Sequence, residues 1–203
     1  MPTEFQSFSS DDLLRVEGPG LTLAFHREGD RWIESIRGPA GALVCALIGE
    51  TNDPARVSHP IYQEWQLHGP ESGASVCLLL TGLSFTHHFS AALTIAADPV
   101  DPAAVRIDFD VADRCRSPVE SLAATYLLDL SSSALASADP ECIAWEVPNG
   151  RLELLAGPGA SLAMAEAGRR ATRAQIVAPI VPGVFTHRLR YGWRWTIASD
   201  RTR

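Results

Sequence analysis

The sequence predicts an all-β protein: a single antiparallel β-sandwich, a supersandwich of about a dozen strands, with little helix. Three observations carry this. Short apolar stretches bounded by Gly, Pro, Asp and Asn recur along the whole chain. Sustained helical periodicity is nearly absent, while several stretches alternate apolar and polar residues one by one, the period of a strand with one buried face. The chain is also long enough to bury a core without disulfide staples: it has 203 residues, 46% hydrophobic and 20% charged. No composition break and no repeat divides it, so residues 1–203 are expected to form one domain.

The elements follow in order. Leu21, Leu23 and Phe25 alternate with Thr22, Ala24 and His26, Glu28-Gly29-Asp30 turns the chain, and Trp32 to Ile36 returns as a hairpin. Leu43 to Ile48 and Val76 to Leu80 are continuous apolar runs, which fit central strands covered on both faces. Phe89, Ala91, Leu93 and Ile95 share one face of a strand, with His88, Ser90, Ala92 and Thr94 on the other. Val105, Ile107, Phe109 and Val111 alternate with Arg106, Asp108 and Asp110 in the clearest strand, and Ala124 to Leu130 forms the next. Ile143 to Val147 and Arg151 to Leu155 flank Pro148-Asn149-Gly150, where Asn-Gly tolerates the positive φ of a tight hairpin turn. Residues 161–175 have helix-favouring composition, but Gly168 and Arg169-Arg170 interrupt them, and two strands are the expectation. A long final strand places His187, Leu189, Tyr191, Trp193, Trp195 and Ile197 on one face, and Arg188, Arg190 and Arg194 on the other.

Charge narrows the chemistry. The formal net charge is −7 and all 17 basic residues are Arg. A nucleic-acid binder needs cations to neutralise phosphates, so no nucleic acid is expected as a partner. Without Lys there is no Schiff-base lysine, no phosphate-loop lysine and no Ser-Lys pair. Cys45, Cys77, Cys115 and Cys142 lie too far apart for a zinc knuckle or a C-x-x-C redox motif, and Cys45 and Cys77, inside apolar runs, are expected as free buried thiols. The first dozen residues lack the basic-then-apolar pattern of a secretory signal, and no apolar run reaches the ~20 residues of a membrane helix. A cytoplasmic protein with no membrane partner is the expectation; the oligomeric state is left open.

Four constellations could carry chemistry. The stretch from Asn52 to Pro70 reads as the longest loop and holds His59, Tyr62, Glu64, Trp65 and His68. His and Glu there suit acid–base work or a metal, and Trp65 suits stacking on a sugar ring; plugging of a sheet edge is the structural alternative. His87 and His88 are adjacent on a strand and must point to opposite faces, one into the core and one outward. Asp108 and Asp110 share a face with Cβ atoms on the order of 7 Å apart, resembling a glycosidase carboxylate pair or an ordinary solvated strand face. Arg188, Arg190 and Arg194 suit carboxylate or phosphate, and Trp193 opposite them suits either a sugar or the core. No nucleophile elbow, dinucleotide loop or H-E-x-x-H motif occurs.

Gly20-Leu21-Thr22-Leu23 with Gly29-Asp30-Arg31-Trp32, then Phe89 to Ile95 leading into Val105 to Asp113, then Leu122-Ala123-Ala124-Thr125-Tyr126, together cover about half the chain. In this order they resemble the galactose mutarotase-like supersandwich of aldose epimerases and glycoside-hydrolase-associated domains. The resemblance implies recognition of a carbohydrate. Catalytic epimerases of that fold use an Asn-His pair followed by an aromatic, a second His and a late Glu base. That set is not placed on this chain, so no catalytic residue is assigned. The expected ligand-binding residues are His59, Glu64, Trp65, His88, Asp110, Arg190 and Trp193, with no cofactor and no metal. One alternative is a small sugar- or sugar-acid-processing enzyme of epimerase or lyase type, with His88 or His59 paired to Glu64 or Asp110 and Arg190 clamping a carboxylate. Another is a structural or assembly module.

Overall fold

The computed structural model describes residues 4–38, 43–48, 52–69, 72–129, 134–147, 150–166 and 171–198, and all regular structure among them is strand. In chain order the strands are β1 (Phe5–Ser9), β2 (Leu13–Gly18), β3 (Leu21–Glu28), β4 (Arg31–Arg37), β5 (Leu43–Ala46), β6 (Arg56–Val57), β7 (Glu64–His68), β8 (Ser72–Gly73) and β9 (Ser75–Ser84). They continue as β10 (His87–Ala97), β11 (Ala104–Cys115), β12 (Ser121–Asp129), β13 (Ala134–Ala138), β14 (Cys142–Val147), β15 (Gly150–Ala156), β16 (Ser161–Glu166), β17 (Ala171–Val177) and β18 (Thr186–Ile197).

They form two sheets. One runs β16-β17-β12-β5-β4-β3-β2-β1-β8, with β6 added in parallel beside β12; the other runs β13-β14-β15-β18-β11-β10-β9-β7. Every other pairing is antiparallel, and the protein is an all-β antiparallel sandwich. Alternation explains why the sheets face each other as they do. Phe89, Ala91, Leu93 and Ile95 of β10, Val105 to Val111 at every second position of β11, and Leu189 to Trp195 likewise of β18 are all buried. They pack against Leu14, Leu23, Phe25, Ile36, Val44, Tyr126, Leu128 and Ile176 of the other sheet in one continuous core.

The local expectations hold where turn chemistry and alternation agree. The β3–β4 hairpin closes through Gly29 and Asp30 with Glu28 opposite Arg31, and Gly29 supplies the positive φ of 64° that the turn requires. Val147 pairs with Gly150, so β14 and β15 form the expected hairpin, although its Pro148-Asn149 corner lies outside the described residues, as do Leu130 and Pro70. Ser161–Glu166 and Ala171–Val177 are the two expected strands, β16 and β17, while Gly168 and Arg169-Arg170 lie outside the described residues. The strand count is larger than about a dozen, partly because the stretch read as a loop contains β6 and the edge strand β7. Glu64-Trp65-Gln66-Leu67-His68 alternates, a short signal submerged in the surrounding polar residues. The run from Val76 to Leu80 is not covered on both faces: Val76, Leu78 and Leu80 are buried, while Leu79 is exposed on the outside of the sheet. A continuous apolar run therefore overstated the burial of β9.

Candidate functional site

Register on the eight-stranded sheet brings distant residues into rows across its outer face. Glu64 pairs with Thr81, Thr81 with Ser90, Ser90 with Ala112 and Ala112 with Arg188. The next row holds Gln66, Leu79, Ala92, Asp110 and Arg190, and the one after it His68, Cys77, Thr94, Asp108 and Gly192. Glu64, His88, Asp110 and Arg190, chosen from four separate stretches of sequence, thus occupy one surface.

At the centre of that surface is a groove of about 420 Å³, walled by Thr94, Arg106, Asp108, Asp110 and Arg190 and by the β15 exit at Leu155, Ala156, Gly157 and Pro158. Its charged groups are held by one another. Arg106 Nε donates to Asp108 Oδ1 at 2.7 Å and Arg190 Nε to Asp110 Oδ2 at 3.2 Å, while Arg188 Nε forms an ion pair with Asp110 Oδ1 at 3.3 Å. Arg194 beside them reaches Asp98, Asp101 and Glu153 at 3.4, 3.6 and 3.4 Å. Gly192 leaves the floor open, since a Cβ there would stand 2.9 Å from the Ile107 carbonyl and 3.0 Å from Asp108 Oδ1. The Gly157 N–H donates to the Arg190 carbonyl at 2.8 Å and fixes the wall against β18.

The other expected site residues lie elsewhere. Glu64 and His88 line a smaller hollow of about 380 Å³ with Gln63, Thr81 and Gly82, on the same face. His88 and Asp110 stand two rows apart, roughly 13 Å along the strands. Trp65 is half-buried at the sandwich edge, edge-on to Trp32 at 6.3 Å. Trp193 is 1% exposed, packed between Trp145 and Tyr126, so its ring is core. His59 is buried; its Nδ1 lies 3.1 Å from both the N–H and the carbonyl oxygen of Thr125, and burial lowers its pKa to about 4 against the opposing pull of that carbonyl, which accepts from the protonated ring. His68 shares the outer face of β7 with Glu64, away from His59. Among the described residues no group of three His, Cys, Asp or Glu side chains is placed to hold a metal, and all four cysteines are free.

Two interior clusters were not foreseen. Glu34 faces the core, and all three tyrosines of the chain gather near it. Tyr126 Oη donates to its carboxyl at 3.3 and 3.4 Å and meets Tyr191 Oη at 2.6 Å. Burial raises the Glu34 pKa to about 8, more than the Tyr126 hydrogen bond lowers it, so the group is largely neutral at pH 7. The signal was present: Glu34 sits between Trp32 and Ile36 at strand period, on the core face. The second cluster is His87 with Asp113, 2.8 Å apart and fully buried, beside His187 across the β11–β18 pair. Here the adjacent histidines divide as alternation requires, His87 inward and His88 outward.

No protein-family model matches this sequence, and no curated protein sequence matches it.

Proposed function

We propose that this chain is a carbohydrate-binding β-sandwich protein whose ligand lies in the groove over β10, β11 and β18. One observation supports this above others: the groove wall alternates carboxylate and guanidinium groups already fixed by mutual ion pairs, above a floor opened by Gly192. Sugar hydroxyls both donate and accept, so they match a surface that offers both at fixed spacing and needs little ordering on binding. Ala92, Leu155, Ala156 and Pro158 supply the apolar side for the C–H face of a ring. The resemblance to mutarotase-like sandwiches points to the same ligand class. The reading is one of binding alone, because His59, His88, Glu64 and Asp110 do not converge on a single bond.

The test is thermal unfolding against mono- and oligosaccharides and sugar acids. A ligand at 100 times its Kd stabilises by about 2.7 kcal/mol, a midpoint rise of roughly 5–10 °C for a chain of this size. The rise is expected to vanish in Asp110→Asn and Arg190→Gln and to survive Trp65→Ala. A flat response to the whole panel, or a response unchanged in both groove variants, overturns the reading.

A further inference from the structure

The β9–β10 turn consists of two residues, Phe85 and Thr86, closed by the pairing of Ser84 with His87. Phe85 has φ of 53°, and among the described residues it is the single non-glycine residue in the left-handed region. Gly or Asn would take this backbone with less strain. Phe85 is also 59% exposed, so neither the strain nor the exposed aromatic surface is offset inside the chain. Both costs make sense if the ring meets something else.

Its surroundings say what. Beside the turn is a hollow of about 600 Å³, lined by Leu83, Phe85, Thr86, His88, Arg114 and Arg116. That volume lies within the range of small-molecule sites. The ends of β11 and β18 run alongside: the Cys115 N–H donates to the Phe185 carbonyl at 3.0 Å, bringing a second exposed phenylalanine to the same end of the sheet. Arg114 and Arg116 make no ion pair among the described residues, whereas Arg106, Arg151, Arg188, Arg190 and Arg194 of the same sheet are all paired. On a chain of net charge −7, this is a local positive surplus set against apolar walls.

We propose that this hollow is a second site, separate from the groove, for a small apolar anion: a carboxylate, sulfonate or phosphate on an aromatic or alkyl body. The head lies between Arg114 and Arg116, whose forks match an oxyanion, and the body rests on Leu83 and Phe85.

The probe is 8-anilinonaphthalene-1-sulfonate, read by fluorescence, with N-phenyl-1-naphthylamine as the same body lacking the anionic head. Saturable one-to-one binding is expected for the sulfonate, weakened at least tenfold in the Arg114→Gln, Arg116→Gln double variant, with the neutral amine indifferent to that change. Both positions are exposed strand-end residues, and an unchanged thermal midpoint verifies the fold. Phe85→Asn is expected to weaken the sulfonate several-fold while raising the thermal midpoint by about 2–4 °C as the turn relaxes. Binding that does not saturate, or is undiminished in the double variant, overturns the proposal. Co-sedimentation with phosphatidylglycerol vesicles that the double variant abolishes also overturns it, by marking a bilayer surface in place of a small ligand.

Discussion

Glu34 sets the pH behaviour of the sandwich together with His59. With its pKa raised to about 8 by burial, Glu34 keeps its proton in the folded chain while the unfolded chain releases it above the ordinary carboxylate value of 4.5. Unfolding therefore releases a proton between those limits, and stability falls as pH rises through that window by about 1.4 kcal/mol per unit. His59, lowered to about 4 from 6.5, acts in the opposite sense: the unfolded chain takes up a proton that the folded chain refuses, so stability falls as pH drops through that window. The two slopes offset each other between pH 4.5 and 6.5, where both groups contribute. A plateau is expected there, then a decline from pH 6.5 to 8 that denaturant titrations at half-unit intervals will show. Glu34→Gln is expected to flatten that decline, and an unchanged slope in this variant would assign it to other groups. Trp193→Ala removes a ring stacked on Trp145 and met edge-on by Tyr126, and should cost about 3–5 kcal/mol by calorimetry. A loss below about 1 kcal/mol would contradict its placement in the core.

At the scale of strands, β9 and β7 meet through a missing side chain. A Cβ on Gly82 would collide with the backbone carbonyl of Ile61, just where the Gln63 N–H donates to the Thr81 carbonyl at 2.8 Å. Backbone cannot yield as a side-chain tip can, so Gly82→Ala is expected to destabilise by about 3 kcal/mol or more and to expose the Trp32–Trp65 contact to solvent. Unchanged denaturant midpoint and Trp emission would refute this. Such contacts show what a sequence can and cannot tell. The faces of β10, β11 and β18 were legible residue by residue, because alternation is local and one side of each strand is apolar. The groove was half-legible: Asp108, Asp110 and Arg190 stood out as outward charges, yet nothing local says that Asp110 lies opposite Arg190, eighty positions away. Gly192, Gly157 and Pro158 carried no recognisable signal, because their role depends on which backbone passes overhead. Trp193 illustrates the converse, since the same alternation that marks a binding face also marks a core, and only the second sheet decides.

On the whole molecule, charge is sorted by place. Paired arginines and carboxylates cover the middle of the outer face, Arg114 and Arg116, without an ion pair among the described residues, and bare phenylalanines occupy one end, and the protonated Glu34 sits inside. Exposed pairs of this kind contribute little stability each, so their ordering over the groove bears on recognition more than on folding. The position of β18 bears on folding instead. It lies between β11 and β15, joining the β7-β9-β10-β11 half of its sheet to the β13-β14-β15 half. Every other strand among the described residues precedes it in the chain. During synthesis the two halves must therefore wait, each with an unsatisfied edge, until one twelve-residue segment arrives to serve both. Closure of this sandwich is a late, long-range event, and until it comes the nascent chain keeps the edges of β11 and β15 open to other strands.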